Sequence, residues 1–293
     1  MFKVVEKAKF LCIIPLVIIL AGVIALFAFD GFVQDVDFAG GMTMYVDMGK
    51  EVDFDAVSKV VKDSDKSLNS AKVLSSEGTV IVIQTPPVER DVRNKIVEAL
   101  KAEYKLEDSA VLQVEDVTAT MGSELRAQAL KAALIACLLM LVYITIRFEF
   151  FTGASAVICL LHDVLIMLAF YAIFKIPMNA NFIAAMLTII GYSINNTIVV
   201  FDRIRENMGK VKKDLKTLVD TSIGQTLKRS MFTTLTTIIP VILLYVLGVD
   251  SIKEFALPLM VGLLAGTFSS VCLAGPIWYG MKSLARKRKA SKR

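Results

Sequence analysis

The polar residues that could do chemistry in this chain are concentrated in one apolar run, which begins near residue 179. The set consists of Thr188, Tyr192, Asn195 and Asn196, with Ser193 beside them. The spacing of the first four predicts that they share one face of a helix. A polar face inside a membrane span is costly unless it contacts protein or water. The pattern therefore indicates either a functional site or a set of hydrogen bonds that holds neighbouring helices together.

A second apolar run carries the chain's only histidine next to an acid, His162 and Asp163, near the middle of a predicted span. A carboxyl group at that depth is neutral, paired or in contact with water, so Asp163 is a candidate functional residue. The simplest role for His162 is a hydrogen bond between helices. A metal site needs three or four ligands, and one histidine does not supply them, so we expect neither a metal nor another cofactor.

Charged residues flank these runs where the membrane is expected to end. Asp202 and Arg203 follow the first polar run, and Arg229 precedes the next apolar one. Side chains at a membrane edge reach water at little cost, so simple solvation is one interpretation of Asp202 and Arg203. Arg229 has two alternatives: it caps its helix, or its guanidinium reaches inward to the polar face of residues 188–196.

The composition identifies the class of protein. Hydrophobic residues make up 55% of the 293 residues, and the mean hydropathy of +0.62 is well above that of soluble domains. The four cysteines lie in apolar runs, without the spacing of metal ligands or of a disulfide framework. We therefore predict a polytopic α-helical membrane protein.

Six apolar runs are long enough to cross a bilayer as helices. The first occupies residues 10–29, and the others lie near residues 127–146, 152–174, 179–202, 230–248 and 255–281. The first run is longer than the apolar part of a usual signal peptide and ends without a clear small-x-small cleavage site. We therefore predict that it is a retained membrane helix.

Lysine and arginine are concentrated on one predicted side of the membrane. They cluster in residues 203–229, predicted as a cytosolic loop, and in the tail of residues 282–293. The positive-inside rule then places both termini in the cytosol. The predicted units are residues 1–29 with the first helix, an extracytoplasmic domain of residues 30–125, a five-helix bundle of residues 126–281, and the basic tail. The tail favours contact with anionic membrane lipids, and because it lacks interleaved aromatic residues we expect no nucleic-acid partner.

Residues 30–125 predict a small α+β domain between the first two spans. The apolar patterns and turn residues, including a hairpin turn at residues 76–78, give the order βαββαβ, which is the ferredoxin-like arrangement. Acidic residues outnumber basic ones by eighteen to ten between residues 30 and 116. The domain offers no paired nucleophile and base and no metal cluster. A binding or gating role therefore suits it better than catalysis, and we predict no enzyme activity.

Five short motifs resemble those of the SecD/SecF family, within the resistance–nodulation–division superfamily. They are Asp37-Phe38-Ala39-Gly40-Gly41, Arg147-Phe148-Glu149, Leu161-His162-Asp163-Val164, residues 191–207 and Gln225-Thr226-Leu227-Lys228-Arg229. The block of residues 191–207 is highly specific. The order of the motifs, the loop lengths and the six-span plan resemble the SecF branch of the family over nearly the whole chain.

The resemblance implies a protein of the bacterial cell membrane that assists the Sec translocation channel. It would pair with SecD and use the ion gradient to help draw exported polypeptides to the outer side. Carried over by position, it makes Arg229 the basic partner in the ion-coupling region. It makes Asp202 and Arg203 the inner end of that motif, and residues 30–125 a smaller companion to an outer domain on SecD.

One position departs from the family pattern, which usually has aspartate where this chain has Asn196. An amide cannot release a proton near neutral pH, and three explanations are open. In the first, a carboxyl group of the partner carries the ion; in the second, Asp163 does. In the third, oxygen atoms of Ser193, Asn195 and Asn196 bind a sodium ion together with a carboxylate of the partner. We favour the first, in which Asn196 only forms hydrogen bonds and Arg229 is required for coupling.

Two other functions remain as alternatives. A half-transporter of the same superfamily would export a small amphiphile, but it predicts a larger outer domain or a second six-helix repeat. A purely structural membrane scaffold predicts that Asp163 and Arg229 can be replaced freely.

Overall fold

The structure, a computed structural model, describes residues 3–76, 78–209 and 214–290. The first part of the chain forms α1 (Val4–Ala28), α2 (Val36–Ala39), β1 (Gly41–Asp47), α3 (Phe54–Ser64), β2 (Lys72–Ser75), β3 (Val80–Thr85), α4 (Arg90–Tyr104) and β4 (Val111–Val117). The second part forms α5 (Ala119–Arg147), α6 (Phe150–Phe174), α7 (Ala180–Met208), α8 (Leu215–Leu247), α9 (Asp250–Phe268), a π-helical turn (Ser269–Leu273) and α10 (Ala274–Ala290).

Six spans in the described part of the chain are long and apolar enough to cross a membrane, as predicted. They are α1, α5, α6, α7, α8 and the continuous segment from α9 through the π-helical turn into α10. The α+β domain lies at one end of this bundle, and the beginning of α1 and the end of α10 lie at the other. We call these ends the domain side and the terminal side of the membrane.

The helices extend beyond the apolar runs that predicted them. α7 ends at Met208 and α8 begins at Leu215, so the segment predicted as a loop, residues 203–229, is largely helical. That prediction was wrong because the length of an apolar run follows the thickness of the bilayer, whereas the polar residues beyond it can still be helical. α5 likewise begins at Ala119, ahead of the predicted start of the bundle at residue 126. The basic residues Lys210, Lys212, Lys213, Lys292 and Arg293 lie outside the described residues.

The α+β domain has the predicted ferredoxin-like arrangement. Its four strands form one antiparallel sheet in the order β2-β3-β1-β4. Alternate side chains of β1 and β3 pack against α3 and α4 and close an apolar core. Fully buried members of this core include Met44, Val57, Leu68, Ile83 and Ile96. Within the predicted hairpin turn at residues 76–78, the middle residue Glu77 lies outside the described residues.

Two glycines of the first family motif make the sharp turn from α2 into β1. Gly40 has a φ of 83°, in the region that favours glycine. A Cβ atom on Gly41 would lie 2.2 Å from the carbonyl oxygen of Thr85. A side chain at position 41 would therefore disturb the pairing of β1 with β3, and one at position 40 would crowd the Ala119 amide at the start of α5.

Hydrogen bonds at the domain side attach the α+β domain to α7 and α9. Asp37 Oδ2 accepts from the Ala180 amide in the first turn of α7, at 2.9 Å, where a carboxylate also favours the helix dipole. Ser75 and Asp250 bond to each other twice, each backbone amide donating to the other side chain at 3.0 Å. The domain is thus held at the end of α7, which carries four buried polar residues, and at the end of α9, which leads into the π-helical turn with its two buried serines.

α7 is the central helix of the bundle and packs against α6, α8 and α9. Its contact with α9 is close because two glycines of α9 face it. A Cβ atom on Gly262 would lie 2.5 Å from Cγ1 of Ile189, and one on Gly266 would lie 3.0 Å from Cβ of Ser193. This approach brings Thr197 of α7 to 2.9 Å from Ser270, in the π-helical turn that follows α9.

Candidate functional site

Asp163 is the centre of a buried cluster formed by three elements of the bundle. The residue is 1% exposed. Its Oδ1 is 2.9 Å from Nδ1 of His162, and its Oδ2 accepts hydrogen bonds from Ser193 of α7 and, at 3.0 Å, from Ser269. We call these four residues the Asp163 cluster. A carboxyl group with almost no contact with water is costly to maintain, and the donors around Asp163 offset part of that cost.

The π-helical turn supplies one side of this cluster. Within Ser269–Leu273, Ser269 donates to Asp163, and Ser270 is 2.9 Å from Oγ1 of Thr197 on α7. The wider turn places two successive serines against two different partners in the interior. Such turns occur preferentially at functional sites. The sequence displays the two serines one turn after the glycines of α9, but periodicity alone gives no sign of the π-helical geometry.

A second line of hydroxyl groups connects α7, α8 and α9. Tyr192 Oη is 3.4 Å from Oγ1 of Thr234, which is 2.7 Å from Oγ1 of Thr267. The two threonines also donate to carbonyl oxygens one turn back in their own helices. These hydroxyl groups therefore join α7 to α8, and α8 to α9.

The predicted polar face of α7 is divided between the interior and the exterior. Thr188 and Asn195 are exposed, Tyr192 is half-buried, and Asn196 is 2% exposed. The four residues lie on one face of α7, as predicted, because their positions cover an arc of about 100°. The boundary between the bundle interior and its outside crosses that arc.

The exposed side of α7 is a strip of small and polar residues, formed by Ala184, Thr188, Gly191, Asn195 and Asp202. We call it the α7 strip. Small residues allow a second helix to approach closely, and polar residues can bond across the contact. A strip of this composition in contact with lipid would leave the amide of Asn195 without partners. It is therefore suited to contact with another protein.

Asn196 lies close to the Asp163 cluster but does not join it. No hydrogen bond connects the two in the described part of the chain, and Nδ2 of Asn196 is buried without a partner there. A buried donor that lacks an acceptor destabilises the fold. Position 196 is therefore buried, as expected of a site residue, but its side chain has no titratable group.

Arg229 lies on α8 beside a polar cavity on the terminal side of the membrane. The cavity has a volume of about 470 Å³ and is lined by residues of α5, α7 and α8, among them Arg147, Asp202 and Arg203. Because α8 begins at Leu215, Arg229 is well inside the helix, so the alternative that it caps the helix is wrong. Its side chain is exposed and forms no ion pair among the described residues. It faces the cavity and does not reach the Asp163 cluster.

The charges at the end of α7 pair mainly with each other. Asp202 accepts from Arg205 at 3.0 Å, and Arg203 donates to Glu206 at 2.7 Å, both three residues along the same helix. All four side chains are between 39% and 57% exposed. Exposed pairs of this kind contribute little to stability, which agrees with solvation at the membrane edge.

The second family motif fixes the turn between α5 and α6. Glu149 accepts hydrogen bonds from Nε1 of Trp278 and Nζ of Lys282, each at 2.8 Å, and so ties the start of α6 to α10. The ring of Phe148 lies 5.4 Å from the Arg147 guanidinium and 4.8 Å from that of Arg205. These residues therefore hold helices together.

A comparison with protein-family models identifies the chain. The model described as "Protein export membrane protein SecD/SecF, C-terminal" matches residues 96–284. The chain belongs to the SecD/SecF family. The match covers α5 to α9, the π-helical turn and α10 as far as residue 284, and thus every residue of the Asp163 cluster and the α7 strip, together with the end of the α+β domain.

Curated relatives extend the similarity to the whole length. The protein translocase subunit SecF of Sebaldella termitidis is 38% identical over 267 residues, covering 89% of this chain and 86% of that protein. The corresponding subunit of Petrotoga mobilis is 35% identical over 298 residues, covering 98% of each. The protein translocase subunit SecDF of Bacillus subtilis is 35% identical over 291 residues, which are 97% of this chain but 38% of that protein.

Solved structures show the same relationship. The crystal structure of SecDF from Thermus thermophilus, titled a translocon-associated membrane protein, superimposes with a TM-score of 0.78 at 31% identity. It covers 96% of this chain and 39% of that one. A structure of SecDF in a super-membrane-facing form gives a TM-score of 0.76 and covers 40% of that chain. This chain therefore spans about two fifths of the fused SecDF proteins.

Proposed function

We propose that this chain is the SecF-type subunit of a bacterial Sec protein-translocation machinery. It acts with a SecD-type partner and uses the ion gradient to promote export of secreted polypeptides through the Sec channel. The observation that carries the proposal is the uncovered α7 strip in a chain that matches two fifths of the fused SecDF proteins. The partner's own bundle would cover the strip. The chain itself catalyses no covalent reaction in this proposal.

The position of Arg229 supports a role in ion coupling. The cavity beside it is bordered by the terminal end of the α7 strip at Asp202. A partner helix packed on the strip would bring its own side chains to that cavity. A carboxyl group there would meet a guanidinium that has no ion pair in the described part of this chain. Burial of the pair would then make the charge state of the partner's carboxyl group sensitive to the ion gradient.

The remaining candidate residues take supporting roles in this proposal. Asp163 and Ser193 stabilise the packing of α7 against α6 and the π-helical turn, and Asn196 is a spectator. Asn195, on the exposed strip, bonds to the partner. The hydrogen bonds of the Asp163 cluster support the first role, and the unpartnered Nδ2 of Asn196 supports the second.

We propose further that the protein lies in the bacterial cell membrane with both termini in the cytosol and the α+β domain outside. The excess of Lys and Arg on the terminal side supports this orientation. Single cysteines at Lys62 in the α+β domain and Gly209 after α7, both exposed, test it in a variant that lacks the four native cysteines. An impermeant maleimide should label intact cells at position 62 and fail at position 209. The reverse pattern contradicts the orientation.

Crosslinking tests the partner. In the cysteine-free background, Thr188→Cys on the α7 strip should form a crosslink in native membranes with a larger membrane protein. Leu20→Cys on α1, which is 57% exposed, is the control and should not form that crosslink. If Thr188→Cys yields only homodimers, the chain is a self-sufficient transporter instead.

A further inference from the structure

A long apolar groove opens between α1, α8 and α9 on the terminal half of the membrane. Its volume is about 920 Å³. It is lined by apolar side chains such as Leu11, Leu227, Leu235 and Leu264, and no residue of α7 contributes to it. The groove therefore lies on a different side of the bundle from the α7 strip. A partner that covers the strip would leave this groove facing the bilayer.

The groove exists because, among the described residues, hydrogen bonds join α1 to α8 only near the beginning of α1. The amide of Val5 donates to Asp220 at 2.9 Å, and Lys216 pairs with Glu6 at 2.7 Å. Further along, α1 packs mainly against α6. The space between α1 and α8 is consequently open to the side.

The mouth of the groove on the terminal side is basic. Lys3 and Lys7 line it. Glu6 is shared between Lys3, at 3.2 Å, and Lys216. Lys7 forms no ion pair among the described residues, and Asp220 is buried and bonded to the α1 backbone. The mouth thus offers cationic groups to an anion at the depth of the lipid headgroups.

The dimensions match one leaflet of a bilayer. Along α8 the lining runs from Ile223 to Ile238, which at the rise of an α-helix is about 22 Å. That distance accommodates a headgroup and an acyl chain. The hydrocarbon part of the groove contains few polar groups, of which Thr234 and Thr267 are already bonded to each other.

We propose that one phospholipid with an anionic headgroup occupies this groove. Its phosphate binds at Lys3 and Lys7, and one acyl chain lies along α8. Basic pockets between membrane helices are typical sites for anionic headgroups. The acyl chain of the lipid would contact Phe268, whose ring stacks on that of His162 with the ring centroids 6.2 Å apart. The lipid would therefore lie between the bilayer and Phe268, the residue that separates the groove from the Asp163 cluster.

Native mass spectrometry of the purified full-length chain tests the proposal without any measurement of export. The probes are palmitoyl-oleoyl phosphatidylglycerol and palmitoyl-oleoyl phosphatidylcholine, which share their acyl chains. One phosphatidylglycerol should be retained at collision energies that remove phosphatidylcholine. Lys7→Gln should weaken its retention by about fivefold. Lys9→Gln, an equal change of charge at an exposed residue outside the groove, should leave it unchanged.

A second pair of variants tests the acyl-chain part of the groove. Leu235→Trp places a bulky ring in the path of the acyl chain along α8 and should strongly weaken retention while leaving the lysines in place. Leu243→Trp lies on the same helix, is similarly exposed and is outside the lining, so it should have no effect. Equal retention of both lipids, equal effects of Lys7→Gln and Lys9→Gln, or no effect of Leu235→Trp overturns the proposal.

Two further outcomes would assign the groove to a different occupant. Displacement of phosphatidylglycerol by millimolar inorganic phosphate would show a site for a free anion. A photoreactive group at position 235 that captures a protein helix in native membranes, with no lipid adduct, would show a protein contact. Either result overturns the lipid proposal and leaves the proposed export function untouched, since the α7 strip lies elsewhere.

Discussion

The α+β domain and the membrane bundle have opposite kinds of interior. The core between the sheet and the helices of the domain is apolar, with few buried polar residues beside it (Asp35, Thr43 and Thr85), and ion pairs such as Lys95–Asp65 and Lys101–Asp108 lie on the surface. The bundle instead buries carboxyl groups, amides and several hydroxyls among its apolar side chains. Its buried polar residues include Asp163, Ser193, Asn196, Thr197, Ser269 and Ser270, and also Asn207 and Asp220.

The free-energy cost of burying a polar group shows why the two interiors have to be understood differently. In a membrane, neither lipid nor water supplies hydrogen-bond partners, so polar interiors persist only where they are fully bonded or functional. The domain can therefore be understood from packing alone, whereas the bundle cannot. We expect substitutions in the domain to act through stability, and we expect the largest losses of export to come from substitutions in the bundle.

The largest effect on export is expected for Arg229→Ala. Loss of the guanidinium would leave the partner's carboxyl group without its basic neighbour, so secretion of a reporter should collapse at unchanged protein level. Lys228→Ala is the matched control, since this exposed neighbour contacts only the ring of Phe232 among the described residues, at 5.8 Å. Equal losses of secretion in the two variants would show that export depends on the positive charge of this part of α8 and not on the Arg229 guanidinium in particular.

The largest effect on stability is expected in the domain core. Ile83→Ala should lower the free energy of unfolding of the domain by about 2–5 kcal/mol, because Ile83 is completely buried in the apolar core. Leu112→Ala on β4, where the side chain is 58% exposed, should change it little. Hydrogen exchange in the domain measures both. If Ile83→Ala abolishes export without reducing the stability of the domain, the expectation that substitutions in the domain act through stability is wrong.

Asp163→Ala should affect stability and leave an intermediate defect in export. It removes the acceptor of Ser193 and Ser269, so each buried hydroxyl loses a partner, at about 1–3 kcal/mol per group. Asp163→Asn keeps an acceptor oxygen and should retain most of the stability measured by thermal aggregation in detergent. Complete loss of export in the stable Asp163→Asn variant would instead indicate that Asp163 carries the ion.

Asn196→Ala should alter export by no more than a few-fold. The substitution removes an Nδ2 donor that has no partner in the described residues, so neither coupling nor stability should suffer greatly. A defect as severe as that of Arg229→Ala would place the amide in the ion path and favour a sodium site. Asn196→Asp restores the family residue, and a stronger dependence of export on the proton gradient would show that the geometry of the site has persisted.

The smallest effect is expected at the surface of the domain. Hydrogen bonds from Lys95 and from Ser67 lower the pKa of Asp65 from 3.8 to about 2. The stabilisation is therefore present above pH 3.8 and is lost as the pH falls through about 2. Asp65→Asn should slightly reduce hydrogen-exchange protection of residues 66–68 at neutral pH, and the difference from wild type should vanish only below about pH 2. A difference that persists well below that pH would show that charge is not its source.

The sequence alone determined the six spans, their order and the ferredoxin-like domain. Each of these follows from local patterns: the length of an apolar run, the alternation along a strand, and turn residues between them. It also placed Asp163 and residues 188–196 among the candidates, because a polar residue inside an apolar run is visible without any tertiary contact.

Only the tertiary structure decided what these residues contact. The rotation of α7 about its axis is set by its packing against α6, α8 and α9, and it separates exposed Asn195 from buried Asn196. The π-helical turn, which brings Ser269 to Asp163, depends on the close approach of α9 to α7 and has no signature in periodicity. The cavity beside Arg229 forms where three helices meet, so no single segment of sequence contains it.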